Sequence, residues 1–283
     1  MSKNLLPGWQ PLSTGATAAL CIVGHPTVQV QSPRAFNARF AAIGIDAVMF
    51  SMDILPAAID AFVAMLRGWE NAPGCIVTVP HKQALAAACD ELSARARMLG
   101  AVNVVRREAD GRLIGDITDG LGFANAARGH GVVLEGCRAA VIGCGGAGSA
   151  IAHALAEAGA AELRLADPDG GRTAKLAGLL RESFPILTVL EEIEDLAGLD
   201  IAVNASPVGM NDDARLPLAA ESSAAQSLAP PTLVADVVTR PEITPWLAAG
   251  RALGCPIQTG AEMTGGQVKE MAGHLGFDFS KVP

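Results

Sequence analysis

The chain has 283 residues, half of them hydrophobic, which is enough for two domains of ordinary size, each with a buried core. Its net charge is −8 and it contains no Lys/Arg run, which argues against a nucleic-acid or anionic-membrane binder. No apolar run reaches the roughly 18 residues of a membrane span, and Pro7 and Pro11 interrupt the start, so neither a span nor a secretory signal is read and a cytoplasmic protein is expected.

In chain order, short apolar runs alternate with Ala/Leu-rich stretches, the pattern of a mostly parallel sheet covered by helices. Ala18–Val23 reads as a strand. Ser32-Pro33 then opens a helix, with Ser as N-cap and Pro at the first helical position. Val48–Ser51 and Ile76–Val79 read as further strands. Asp110-Gly111, set between Val102–Arg106 and Leu113–Asp116, signals a hairpin. A helix follows over Gly120–Gly129. From Ala139 to Gly254 the order becomes strand, Gly-rich turn, Ala-rich helix, strand, helix, strand. The Ala/Ser/Pro-rich segment Leu218–Pro231 reads as a surface loop, and Met263–Gly276 as one helix with small residues on one face. The six cysteines include no CxxC pair and are read as buried free thiols, and no Cys/His spacing suggests a metal site.

The strand Ala139–Ile142 runs into Gly143-Cys144-Gly145-Gly146-Ala147-Gly148 and then into a helix. Glycines there allow a backbone to approach a pyrophosphate closely, and the helix start offers N–H groups and a positive dipole end. The plainer reading is a tight turn. Asp167 closes the next strand, where such domains place an acid on the ribose hydroxyls of the adenosine. A carboxylate there disfavours a 2′-phosphate, because like charges about 4 Å apart cost on the order of 1 kcal/mol in water and roughly 4 at an intermediate dielectric. NAD is therefore expected in preference to NADP. The plainer reading of Asp167 is a helix cap.

Three polar clusters in the first half look out of place as core: VTVPHK (77–82), GAVN (100–103) and GDITDG (115–120). Singly they read as a solvated Lys, a turn Asn and a capping Asp. Together with GCGGAG (143–148), VNASPVGM (203–210) and TGAEMTGGQ (259–267), they resemble the ordered motif set of shikimate dehydrogenases, from Gly24 to Gln267. The resemblance implies an α/β fold of two domains. An N-terminal substrate domain (1–120, completed by 260–283) would accompany a Rossmann NAD(P)-binding domain (121–259). It implies Lys82 and Asp119 as the catalytic pair, with Ser32, Thr78, Asn103, Thr239 and Gln267 on the substrate. Gly143, Gly145, Gly146, Ala147, Asp167, Asn204, Ser206, Gly209, Val237, Gly260 and Met263 would lie at the cofactor. NADP-preferring members carry Asn-Arg where this chain has Asp167-Pro168.

The chain departs from that family at several substrate positions. The usual Ser-x-Ser-Pro is Val30-Gln31-Ser32-Pro33, Thr239 stands at the place of a Tyr, and Ile76 and Ile117 replace two Asn. The expected function is reversible NAD-linked oxidation of a secondary alcohol on a small cyclic hydroxy acid, shikimate- or quinate-like, by a monomer or homodimer. Lys82 would exchange the hydroxyl proton and Asp119 would hold it and the substrate hydroxyl in place. The alternatives are a genuine shikimate dehydrogenase and a catalytically silent NAD-binding regulatory protein.

Overall fold

The computed structural model describes residues 13–211, 213–219 and 222–279. They fall into two compact units: one runs to Asp116 and resumes at Met271, and the other spans Ile117–Glu270.

The first unit holds β1 (Ala18–Gly24), α1 (Ser32–Ile43), β2 (Ala47–Asp53), α2 (Ile59–Gly68), β3 (Gly74–Val77), α3 (Lys82–Ala88), β4 (Glu91–Leu92), α4 (Ala94–Leu99), β5 (Val104–Arg107) and β6 (Leu113–Asp116). Its six-stranded sheet has the order β2-β1-β3-β5-β6-β4. Strands β2, β1 and β3 are parallel, and β5 and β6 form the antiparallel hairpin that Asp110-Gly111 signals. Gly111 sits at φ +84°, a conformation that suits glycine. On α2, Ile59, Phe62 and Leu66 recur at helical spacing and all are buried. At the outer edge of β2, the Asn37 side chain donates to the Met49 carbonyl at 2.8 Å and accepts from the Met49 N–H at 2.7 Å, supplying the bonds a further strand would make. The returning C-terminal residues pack here: the rings of Phe277 and Phe279 lie 5.0 and 5.5 Å from that of Phe40.

One local expectation is corrected. Gln31, not Ser32, holds the N-cap position of α1, and its side chain makes no capping bond. Ser32 is the first helical residue, so capping is not what its hydroxyl does.

The second unit holds α5 (Asp119–Gly129), β7 (Arg138–Ile142), α6 (Gly146–Glu157), β8 (Glu162–Ala166), α7 (Gly170–Ser183), β9 (Thr188–Leu190), β10 (Ile201–Asn204), α8 (Ser223–Gln226), β11 (Leu233–Asp236), α9 (Pro245–Ala252), β12 (Ile257–Gln258) and α10 (Gly260–Gly266); α11 (Val268–His274) crosses the division at Glu270. Its sheet has the order β12-β11-β10-β7-β8-β9 with every pairing parallel, the doubly wound dinucleotide-binding topology. The tract expected as a loop contains one helical turn, α8, because the Ser222 hydroxyl accepts from the Ala225 N–H as an N-cap.

The final helix is two helices, with Gln267 ending α10. Glycines explain the break. They weaken a helix, and here close approach requires them: a Cβ on Gly122 of α5 would stand 2.5 Å from the Met263 carbonyl oxygen, and one on Gly266 would meet the Gly122 carbonyl.

Candidate active site

In the first unit the polar residues gather at the carboxyl edge of the sheet, where open α/β sheets bind ligands. Thr78 follows β3 directly and its N–H donates to the Val23 carbonyl at 2.9 Å. The chain then turns, with the His81 N–H on the Thr78 carbonyl at 3.0 Å, and the buried His81 ring sits 2.7 Å from the Ile54 carbonyl. That anchor fixes the start of α3, whose first residue is the half-buried Lys82. Asn103, 1% exposed, is tied to the same edge. Its carbonyl accepts from Val77 at 2.8 Å, its N–H donates to Asp116 at 2.9 Å, and the adjacent Val102 donates to the Lys82 carbonyl at 3.0 Å. Thr78, Lys82 and Asn103 are thus brought together by one set of backbone bonds. Ser32 lies half-buried at the start of α1, two residues beyond the half-buried Val30.

The carboxylates of the Asp-x-x-Asp pair divide between the units. Asp116 closes β6, where Ser93 and Arg95 hold it: Ser93 Oγ donates at 2.5 Å and Arg95 Nε at 2.9 Å. It is a structural ion pair. Asp119 opens α5 in the second unit and is buried. Thr118, not Asp119, occupies the cap position, so the capping reading of Asp119 does not hold. Gln267, at the end of α10, is buried on the facing helix, where its Cβ would lie 2.8 Å from a Cβ on Gly122.

The second unit assembles its own carboxyl edge around the glycine turn. Two of the glycines are explained by the fold. Gly143 has φ +105° and backs onto the Ser206 N–H, and a Cβ on Gly148 would meet the Gly143 carbonyl. Gly145 and Gly146 are not: Gly145 has φ −75°, which any residue adopts, and a Cβ on either would find no atom within 4 Å. Glycine at these two positions leaves room for a group to approach the backbone from outside, and the first turn of α6 offers its N–H groups there. The site therefore fits a dinucleotide pyrophosphate. Ala147 is half-buried on the same turn.

Asp167 stands at the end of β8, and both its oxygens are held by backbone, from Cys144 N–H at 2.8 Å and Asp169 N–H at 2.9 Å. The cap of α7 is Asp169, which accepts from Gly171 at 3.0 Å, so the capping reading of Asp167 fails as well. Each Asp167 oxygen keeps a further lone pair for a ribose hydroxyl. The nearby Arg172 pairs with Asp169 at 3.5 Å.

Beyond the glycine turn lie the ends of β10 and β11. Asn204 is fully buried. Its amide donates to Val208 and Asp236, and its oxygen accepts from the Ser206 hydroxyl at 2.6 Å. Asn204 and Ser206 therefore shape the loop that ends at Gly209, where φ is +89°. Val237 follows β11, and a Cβ on Gly260 would stand 2.6 Å from its carbonyl oxygen. Met263 is buried one turn further along α10, whereas Thr239 is exposed. Asp236 and Thr244 belong to none of the sequence motifs, and their one local signal is the helix-start signature Thr244-Pro245. Among the described residues no group of three or more His, Cys, Asp or Glu could hold a metal ion, and no helix is long and apolar enough to cross a membrane.

Residues 22–105 match the family model of the shikimate dehydrogenase substrate binding domain. The chain is 40% identical over 237 residues to a shikimate dehydrogenase (NADP(+)) of Rubrobacter xylanophilus, which covers 82% of this chain and 80% of the relative. It is similar to the solved structure of Listeria monocytogenes shikimate 5-dehydrogenase in complex with shikimate and NAD, with a TM-score of 0.85, 28% identity and 93% of each chain covered. It is also similar to the quinate dehydrogenase of Corynebacterium glutamicum in complex with NAD, with a TM-score of 0.79, 29% identity, and 94% of this chain and 96% of that one covered.

Proposed function

The chain belongs to the shikimate dehydrogenase family, and from that premise we propose an NAD-preferring oxidoreductase that acts on a shikimate- or quinate-like hydroxy acid with altered substrate recognition. The enzyme class, a nicotinamide-dependent oxidoreductase acting on a CH–OH group, follows from the family. The observation that carries the cofactor preference is Asp167, a carboxylate fixed by two backbone N–H groups at the end of β8, with Pro168 after it and the next cation already paired to Asp169. A 2′-phosphate brought there would meet like charge.

When bound, the nicotinamide supplies the hydride chemistry. Gly145, Gly146 and the start of α6 would hold the pyrophosphate, and Asp167 the adenosine ribose. In the direction of oxidation, the Lys82 Nζ, as a neutral amine, would take the proton of the substrate hydroxyl as the hydride leaves the same carbon, and Asp119 would hold the amine and the hydroxyl in place. Thr78, Asn103, Gln267 and Ser32 would orient the ring. Ile76 and Ile117 make the pocket more apolar, Val30 supplies no hydroxyl for the substrate carboxylate, and Thr239 reaches less far than the Tyr whose place it takes. Each lost bond to a charged group is worth roughly 1.5–3 kcal/mol, so shikimate itself is expected to be a poor substrate, with a Michaelis constant in the millimolar range. We infer a cytoplasmic location for this activity.

The test is a kinetic screen of shikimate, quinate and less hydroxylated cyclic acids with NAD and NADP, followed at the nicotinamide absorbance. The expected result is NAD-linked turnover that is fastest on a substrate other than shikimate. Micromolar, NADP-linked turnover of shikimate would overturn the proposal in favour of the ordinary family activity.

A further inference from the structure

The most buried carboxylate among the described residues belongs to Asp236, at 1% exposure, and no cation accompanies it. Its partners are neutral donors from three segments. The Thr244 hydroxyl donates at 2.7 Å, the Asn204 amide at 3.0 Å and the Val238 N–H at 2.9 Å. Asp236 and Asn204 are register partners at the carboxyl ends of neighbouring parallel strands. Thr244 is at the same time the N-cap of α9, accepting from the Leu247 N–H. Through Asn204 the network continues to Ser206 and Val208, and the Val237 N–H donates to the Asn204 carbonyl at 3.0 Å.

A carboxylate is an expensive way to hold a turn. Burial pushes the Asp236 carboxyl above its usual range, which means that its charge is paid for against desolvation. A neutral amide would avoid that cost, but it offers one acceptor oxygen where three donors converge on two. Partly satisfied buried networks are costly and fully satisfied ones are rigid. The two loops fixed by this network, 205–209 and 237–239, leave the sheet on the β10–β11 side of the glycine turn. Asp167 marks the adenosine side at β8, so in a doubly wound domain the opposite side receives the nicotinamide half of the dinucleotide.

We propose that Asp236 is a positioning residue for the nicotinamide half of the cofactor, setting loops 205–209 and 237–239 through Thr244, Asn204 and Val238. It acts through the loop backbone and touches neither cofactor nor substrate. The inference rests on the family reading of the second unit as a dinucleotide site.

The experiment compares NAD with ADP-ribose, which lacks the nicotinamide, by calorimetric titration of the full chain. In Asp236→Asn, NAD should bind at least tenfold more weakly while ADP-ribose binding stays within about twofold of the unmodified protein. Thr244→Val, which removes the 2.7 Å bond, should show the same selective loss at smaller size, and Thr244→Ser, which keeps a hydroxyl, should bind NAD as the unmodified protein does. If Asp236→Asn does not fold, the two Thr244 variants decide. Equal loss of both ligands would reduce the network to a structural role and overturn the proposal, as would unchanged NAD binding in both Asp236→Asn and Thr244→Val. Failure of the unmodified protein to bind either ligand would instead overturn the family reading on which the inference rests.

Discussion

Alanine at Gly145 and alanine at Gly148 should have opposite consequences, although the two glycines are three residues apart in one turn. At Gly148 an added methyl would run into the Gly143 carbonyl and lie 3.3 Å from the Ala205 Cβ. Overpacking of that kind costs about 1–3 kcal/mol, which lowers Tm by roughly 2–4 °C per kcal/mol in a domain of this size. At Gly145 the backbone already lies at φ −75° and ψ −165°, and nothing stands within 4 Å of the new methyl. Stability should therefore change by less than about 1 kcal/mol, the scale of an N-cap change from Gly to Ala. The methyl would instead fill the space through which a pyrophosphate reaches the start of α6. Losing one backbone bond to a charged group, worth roughly 1.5–3 kcal/mol, weakens NAD binding at least tenfold. Thermal unfolding without nucleotide and calorimetric titration with NAD separate the two effects. Native-like NAD affinity in Gly145→Ala would refute the argument that the open glycines mark the pyrophosphate site.

Other substitutions probe the remaining parts of the reading. Lys82→Ala should cut turnover on the best substrate by about a hundredfold, the usual size of an acid–base contribution, with NAD affinity nearly unchanged because Lys82 belongs to the other unit; near-normal steady-state turnover would remove Lys82 from the chemistry. Asp167→Ser combined with Pro168→Arg should narrow or reverse an NAD preference of about tenfold, read by titrating both nucleotides, and a preference that stays put would shift the selectivity to other residues. Arg95→Ala should destabilise the first unit by roughly 1.5–3 kcal/mol, because it removes the guanidinium bonds to the buried Asp116 and leaves Ser93 and the more distant His274 ring beside it; a melt within a degree of the unmodified protein would contradict the structural role given to that pair. Glu162 is held below the usual carboxylate range because the hydrogen bonds from Arg164 and Arg138 outweigh the cost of its burial. With its folded-state pKa depressed, its stabilisation is present above about pH 4.5 and lost as pH falls through the folded value. Melts across pH 3–6 should therefore show a smaller acid-side loss in Glu162→Gln than in the unmodified protein, and an identical loss would contradict the assignment.

The amino-acid pattern alone determined the α/β class, the hairpin at Asp110-Gly111, the strand–glycine–helix unit at 139–158 and the acid at Asp167. These depend on neighbours in sequence: period, turn chemistry and spacing. Motif resemblance supplied Lys82 and Asp119 as the pair expected to carry the chemistry. What remained open were choices between residues of the same type. Four glycines stand in the turn, but only the packing shows that Gly143 and Gly148 serve the fold while Gly145 and Gly146 face open space. Two acids stand in GDITDG, and Arg95, twenty-one residues upstream of Asp116, takes one of them into a structural pair. Two more follow β8, and the cap is Asp169 rather than Asp167. The Asp236 network joins two strands and a helix start, with one of its bonds spanning 32 residues, so no local signal announces it. Local pattern fixes which conformation a segment prefers; the role of a polar side chain is set by the partners that surround it, and distant segments supply those partners only when the chain has folded.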